Sequence, residues 1–225
     1  DKMDAETAAN VELAVKNTVK LEKMIGDLVT FNKVESGNFP FCLQYGNPIE
    51  FVSRIMAMMR HLADEKEIIF TTDCQNNGEE VWFSPTYVEH ITTNLVLNAI
   101  KYTSAGGHVI VKSDITTGDD QLNYLRIEVA DNGIGIEQGE IDNIFNRFYQ
   151  TQRGYNAAGS GWGIGLALVK KMAEIHHGSV HVASSVGKGS TFTAMLCVSG
   201  SAFPESSKIT QSTELVPLNH YMMQS

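Results

Sequence analysis

The chain has 225 residues, a net charge of -9, 43% hydrophobic and 19% charged residues, enough to bury one core with an appendage. The acidic balance, with no block of Lys and Arg, excludes a phosphate-backbone binder, so no nucleic-acid partner is expected. Cys42, Cys74 and Cys197 form no C-x-x-C pair and suit reduced packing thiols in a cytosolic setting, and no apolar run approaches the ~18 residues that would span a bilayer.

Asp1-Lys2-Met3-Asp4 has no signal-peptide character and runs straight into helical pattern, so the chain reads as a piece of something larger. Val11, Ala14, Thr18, Leu21, Ile25 and Leu28 recur at three- and four-residue steps, a heptad seam made to pack against partner helices. Gly37 supplies the stop. A solitary helix cannot bury such a seam, so its bundle partners are expected in a second protomer or in chain outside these residues.

From residue 39 the composition changes. Asn47 caps a helix that begins at Pro48 and carries Glu50 three residues after the cap, with Val52, Ile55, Met56, Met59 and Leu62 as its inner face. Residues 68–70 and 81–83 read as strands on either side of an Asn76-Asn77-Gly78 turn. Ser84-Pro85 opens a helix to about Tyr102, which Ser104-Ala105-Gly106-Gly107 stops. Strands follow at 109–116 and 122–130, then a loop-rich stretch to 165 with a short helix at 141–149. A helix at 166–176 leads into a hairpin of 180–182 and 191–198 around Gly187-Lys188-Gly189. The tail, 199–225, lacks periodicity and reads as linker or disorder. The expected fold is α+β, a two-layer α/β sandwich: a mixed, mostly antiparallel sheet with helices on one face, preceded by a long N-terminal helix. The expected division is 1–38, 39–198 and 199–225.

Three constellations carry chemistry. On the helix 85–102, Asn94, Asn98 and Lys101 fall at i, i+4 and i+7 and so share one face. Amide oxygens suit a hard cation and Lys suits phosphate, yet the same stripe also fits a solvated helix face. Asp131-Asn132-Gly133-Ile134-Gly135 follows a strand, so the glycines turn the chain sharply and leave Asp131 at the mouth of the sheet. A fixed carboxylate there can accept the exocyclic amine of adenine; Asp-Asn-Gly is also an ordinary turn. Gly159-Ser160-Gly161-Trp162-Gly163-Ile164-Gly165 runs into an apolar helix, whose first N–H groups suit phosphate. Its spacing matches neither a P-loop nor a Rossmann fingerprint. Between these turns, Phe145 and Phe148 flank Arg147, either as a lid anchor reaching a terminal phosphate or as core aromatics beside a surface cation. The seven histidines show no metal-ligand spacing.

Taken in order, these segments resemble the catalytic, ATP-binding domain of sensor histidine kinases, within the larger family that includes gyrase B and MutL. Residues 94–103 resemble its N box, 131–135 its G1 box, 144–149 its F box, 161–166 its G2 box and 187–192 its closing hairpin. Residues 10–38 resemble the second helix of that family's dimerisation bundle. The details are similar to hybrid kinases, in which a receiver domain follows further on.

The resemblance implies Mg2+ and ATP as cofactors. Asn98 would hold the metal with Asn94 beside it, Lys101 would contact phosphate, Tyr102 would flank the base, and Asp131 would bind the adenine amine. Gly133, Gly135, Gly161, Gly163 and Gly165 would supply pocket and lid backbone, with Ile136, Phe148, Leu166 and Thr191 completing the lining. Asn94, Lys101 and Arg147 form the implied catalytic set. Asn94 stands where gyrase-type relatives carry a glutamate base; an amide cannot activate water, which suits transfer to protein over hydrolysis. The implied partners are an acceptor-helix histidine of the same or a partner protomer, a response-regulator receiver domain, and a second copy of the full-length chain. The implied location is the cytoplasmic part of an inner-membrane sensor, with no membrane insertion by these residues. Two departures stand out: no histidine precedes His61, so the phosphoacceptor signature is absent, and Trp162 replaces the usual small or hydroxyl residue. An ATP-gated protein-binding module without phosphotransfer is the alternative.

Overall fold

The computed structural model describes residues 5–154 and 162–209. The chain divides into two units, one built on the N-terminal helix up to Phe39 and the other from Pro40 onward.

In the first unit, α1 spans Ala5–Glu35. It ends on Gly37, whose φ of 71° only glycine adopts freely, while the N–H groups of Asn38 and Phe39 both donate to the Lys33 carbonyl at 2.8 and 2.9 Å. The predicted seam residues Val11, Leu21 and Ile25 are exposed, and so are Leu13, Val15, Val19 and Val29 outside it. The apolar surface is therefore wider than a two-position seam.

The second unit begins with β1 (Leu43–Gly46) and α2 (Pro48–Glu65). Asn47 Oδ1 accepts from the Glu50 N–H at 3.0 Å, as the sequence predicts. Val52, Ile55, Met56 and Met59 are buried, joined by Ala63, whereas Leu62 stays half-buried. There follow β2 (Ile69–Cys74), β3 (Val81–Phe83), α3 (Pro85–Tyr102), β4 (His108–Thr117), β5 (Asn123–Asp131), α4 (Gly165–Ile175), β6 (Ser179–Ser185), β7 (Gly189–Cys197) and β8 (Lys208–Ile209).

The main sheet runs β2-β4-β5-β7-β6, and only the β2–β4 pair is parallel. Its helix-side face buries Val109, Val111, Leu125, Ile127, Val129, Phe192, Ala194 and Leu196 against α2, α3 and α4. The opposite face carries ion pairs, Lys112 with Glu128 at 3.2 Å and Arg126 with Asp114 at 2.8 Å. This period-two division sets which side of each strand faces the helices. The α+β expectation, a mixed and mostly antiparallel sheet preceded in sequence by a long helix, holds.

The strands β2 and β3 enter different sheets: β4 takes the edge of β2, and β3 joins β1 and β8 in a separate small sheet. Two local expectations need correction. No α-helix forms over 141–149. A 3-10 turn at Gln138–Glu140 gives way to turns, in which Asn146 Nδ2 donates to Asn143 Oδ1 and Phe148 takes a left-handed φ of 62°. Asparagine side chains compete there with the helical ladder. Nor is the tail from 199 uniformly linker. Ser199 Oγ accepts from the Asn123 N–H at 2.7 Å, and Phe203 is buried against Leu43 and Cys197 and stacks on His177 at 4.8 Å. Beyond it, Lys208 lies over Trp82, and β8 pairs in parallel with β1. One aromatic with a core to enter suffices to order a polar segment. Residues 210–225 lie outside the described residues.

Candidate active site at the end of helix α3

Helix α3 turns Val88, Ile91, Leu95 and Ala99 into the core. Next to that face, Asn94, Asn98, Lys101 and Tyr102 are each half-buried, so the polar stripe is more than a solvated helix surface. Asn94 Nδ2 donates to the His90 carbonyl at 2.8 Å. Its Oδ1 lies so near α4 that a Cβ on Gly165 would sit 2.6 Å away, which places the first residue of α4 against the stripe. The Asn98 amide makes no hydrogen bond to any described residue, so its oxygen is available to a ligand. Burial lowers the Lys101 pKa and raises that of the Tyr102 phenol, and Lys101 Nζ lies 5.0 Å from the Tyr102 ring centre.

Asp131 closes β5. Its Oδ1 accepts from the Gly133 N–H at 2.8 Å and the Ser190 N–H at 3.3 Å, while Oδ2 has no partner among the described residues. Burial pushes the carboxyl pKa up, and these two N–H bonds oppose the shift. One oxygen is therefore locked and the other is unengaged among the described residues. The turn is tied on both sides. The Ile134 N–H donates to the Tyr102 carbonyl at 3.3 Å, and the Gly187 N–H donates to the Ile134 carbonyl at 2.8 Å. The Ile136 N–H donates to Ser184 Oγ at 2.8 Å. Gly133 allows a close approach to α3: a Cβ there would lie 2.3 Å from the Tyr102 carbonyl oxygen. Gly135 combines a φ of 66° with the Ser185 carbonyl 2.0 Å from where its Cβ would stand.

The register of β7 separates Thr191 from Ser190. Thr191 pairs with Ala130 on the face away from the helices, whereas Ser190 pairs with Asp131 and is buried. Ser190, not Thr191, joins Asp131, and Ser184 Oγ lies 3.0 Å from the Ser190 hydroxyl. The signal was present in the alternation of Phe192, Ala194 and Leu196, which puts position 190 on the buried face.

The segment between the turns holds the remaining candidates. Phe145 turns inward, edge-on to Phe192 at 6.5 Å. Phe148 is 53% exposed, with the Arg147 guanidinium 5.5 Å from its ring. The two aromatics therefore point apart instead of flanking Arg147 together, because Phe148 sits on a left-handed residue at a turn. The Phe148 N–H donates to the Gly163 carbonyl at 2.9 Å, and Gly163 has a φ of 66° with no room for a Cβ beside the Tyr149 carbonyl. Trp162 and Leu166 are half-buried. Gly161 lies outside the described residues.

Among the described residues no group of three His, Cys, Asp or Glu side chains stands ready to hold a metal. A cation here would take amide and phosphate oxygens instead, a set that suits a hard divalent ion keeping several waters. The unengaged Asn98 amide fits that role.

The site thus brings together an acceptor carboxylate beside the end of α3, a half-buried amide-and-lysine stripe along that helix, and the start of α4 against Asn94. A family model described as histidine kinase-, DNA gyrase B- and HSP90-like ATPase matches residues 84–199. The chain is 28% identical over 179 residues to the sensor histidine kinase WalK of Bacillus subtilis, a match covering 80% of this chain and 29% of that protein. It is 32% identical over 178 residues to the sensor histidine kinase RppB of Synechocystis, covering 79% of this chain and 38% of the relative. The chain therefore spans well under half the length of these relatives. The structure of the histidine kinase AdeS from Acinetobacter baumannii shares the fold, with a TM-score of 0.65 at 19% identity, covering 88% of this chain and 87% of that one. Since the family match takes in α3, the Asp131 turn and the strands that close on it, the chain belongs to the histidine kinase-, DNA gyrase B- and HSP90-like ATPases, as an ATP-binding catalytic domain of the sensor histidine kinase kind.

Proposed function

We propose that this domain binds Mg-ATP and donates its γ-phosphoryl group to a histidine on an acceptor helix outside these residues. The observation that carries the reading is the Asp131 carboxylate, with one oxygen locked by two backbone N–H groups and the other unengaged. A pocket that expects a donor such as the adenine amine needs that arrangement. Tyr102 flanks the base, and Lys101, already desolvated, meets phosphate oxygens without a further burial cost. Asn98, beside Asn94, would hold the Mg2+, which when bound neutralises phosphate charge and orients the terminal group. Gly133, Gly135, Gly163 and Gly165 let backbone approach the nucleotide, Ile136, Phe148 and Leu166 line it, and Ser190 takes the place expected of Thr191. Asn94 has no basic lone pair to take a proton from water, so hydrolysis is slow and the acceptor is a side chain. The exposed Arg147 reaches the terminal phosphate as the lid closes.

The wider assignment follows from the same reading. Residues 1–38 form part of a dimerisation helix, and the exposed apolar side chains of α1 supply the surface for a second copy. The phosphoryl group then passes to a receiver domain. No helix among the described residues is long and apolar enough to cross a membrane, which suits the cytoplasmic portion of a membrane sensor.

Calorimetric titration is the test. Asp131→Ala and Asn98→Ala should each abolish measurable Mg-ATP binding while circular dichroism stays unchanged; unaltered isotherms would refute the assignment. With radiolabelled ATP the chain alone should remain unlabelled and a separate acceptor-helix protein should gain label. Binding without label in either protein would favour the ATP-gated module.

A further inference from the structure

Helix α3 ends at its working residues, and its last carbonyls need partners. The Lys66 ammonium donates to the carbonyls of both Ile100 and Lys101, each at 2.7 Å, and the Ile134 N–H takes the carbonyl of Tyr102 at 3.3 Å. All three orphan carbonyls of the final turn are thereby satisfied by groups from elsewhere in the fold. Lys66 stands at the C-terminal cap of α2, where its own N–H donates to the Ala63 carbonyl. The corner around it is rigid: Glu67 has a φ of 56°, its carbonyl accepts from the Gly106 N–H at 2.9 Å, and the Ile69 N–H donates to the Gly107 carbonyl at 2.9 Å.

A lysine in the last turn of a helix ordinarily curls back to cover that helix's own carbonyls. Here Lys66 occupies them, and the Lys101 ammonium instead lies 5.0 Å from the Tyr102 ring. The two ammonium groups also repel each other. Burial first, and then the nearby Lys101 charge, lowers the Lys66 pKa. The carbonyl end of α3 attracts both ammonium groups, and an anion bound beside Lys101 would lessen their mutual repulsion.

We propose that Lys66 is a positioning residue for the nucleotide site: it anchors the final turn of α3 through the Ile100 and Lys101 carbonyls and so releases Lys101 to face the ligand's phosphates. The inference rests on the nucleotide-binding reading above. It adds a residue that touches no ligand and lies outside the matched family span of 84–199.

The test uses the whole chain, with Mg-ATP titrated calorimetrically and amide hydrogen exchange followed without nucleotide. Arg60 serves as the control, since it lies on the same helix and donates to the Phe70 carbonyl at 3.2 Å, not to α3. Lys66→Met should weaken Mg-ATP binding about tenfold, the scale of one charge-assisted hydrogen bond, and speed exchange at the Ile134 amide. Lys66→Arg should restore binding to within about threefold of the parent chain. Arg60→Met should lower the thermal midpoint and leave affinity unchanged. Unchanged affinity in Lys66→Met, or an equal loss in Arg60→Met, would overturn the proposal. Failure of the parent chain to bind nucleotide would instead remove the reading beneath it, and unchanged Ile134 exchange in Lys66→Met would then overturn the anchoring on its own.

Discussion

The two ends of α3 solve the same problem, unpaired backbone groups at a helix terminus, in opposite ways. At the N-terminal end, the Ser84 N–H donates at 3.1 Å to Nε2 of His176, a fully buried neutral imidazole. Phe41 and Phe203 meet that ring edge-on at 5.4 and 5.6 Å. At the C-terminal end, a lysine ammonium and a backbone N–H from the Asp131 turn do the work, and the side chains beside them are half-buried and polar. The first end is dry and holds the helix in place. The second is charged and partly solvated. One rigid element thus separates stability from function along its length.

If that division is real, substitutions at one end should change binding and those at the other only stability. The largest effect is expected for Gly133→Ala. Its Cβ would meet the Tyr102 carbonyl at 2.3 Å, backbone that cannot swing away, so Mg-ATP binding should vanish and stability fall by roughly 3 kcal/mol. Binding that survives would mean that the turn is not tied to α3 as described. Phe203→Ala, at the opposite end, should cost about 3 kcal/mol in chemical denaturation while the affinity of the folded fraction stays put.

Asp131→Asn should weaken binding tenfold to a hundredfold, roughly 1.5–3 kcal/mol, because its amide cannot replace a carboxylate acceptor. The free protein should not lose stability with it. The native carboxyl pKa is raised by burial, so the folded state holds its proton more tightly than the unfolded one and gains stability as pH falls through that raised value. A neutral amide already sits on that plateau. A lower melting temperature for the variant would contradict the sign.

The smallest effect concerns His176. Its pKa is lowered from 6.5 to about 4, mainly by burial, so unfolding takes up a proton between those values. Its contribution is fully present above pH 6.5 and declines as pH falls toward 4, by at most about 1.4 kcal/mol per pH unit. His176→Gln keeps an acceptor for the Ser84 N–H but cannot titrate, so its stability should decline less steeply across that window. An identical acid limb in both proteins would exclude His176 as its source.

Much of this site was legible from local pattern. The i, i+4, i+7 spacing of Asn94, Asn98 and Lys101 located one helix face, and the glycines around Asp131 and Gly163 marked turns that the backbone confirms at Gly135 and Gly163. What local pattern misjudged was partnership. Strand character at 68–70 and 81–83 was visible, but the partners these strands take, β4 and β1, were not. Phe145 and Phe148 differ by three residues, yet one packs on Phe192 and the other faces outward. Phe203 had no periodic neighbours to advertise that it was core.

The amino-acid order alone determined where helices and strands form and which residue types share a face, because those properties arise within a few residues of backbone. Tertiary structure alone decided that Lys66 reaches carbonyls 34 and 35 positions away, that Ser190 donates to an acid 59 positions earlier, and that His176 accepts from Ser84 across 92. A hydrogen bond between distant segments depends on how whole elements pack, and periodicity within either segment carries no record of it.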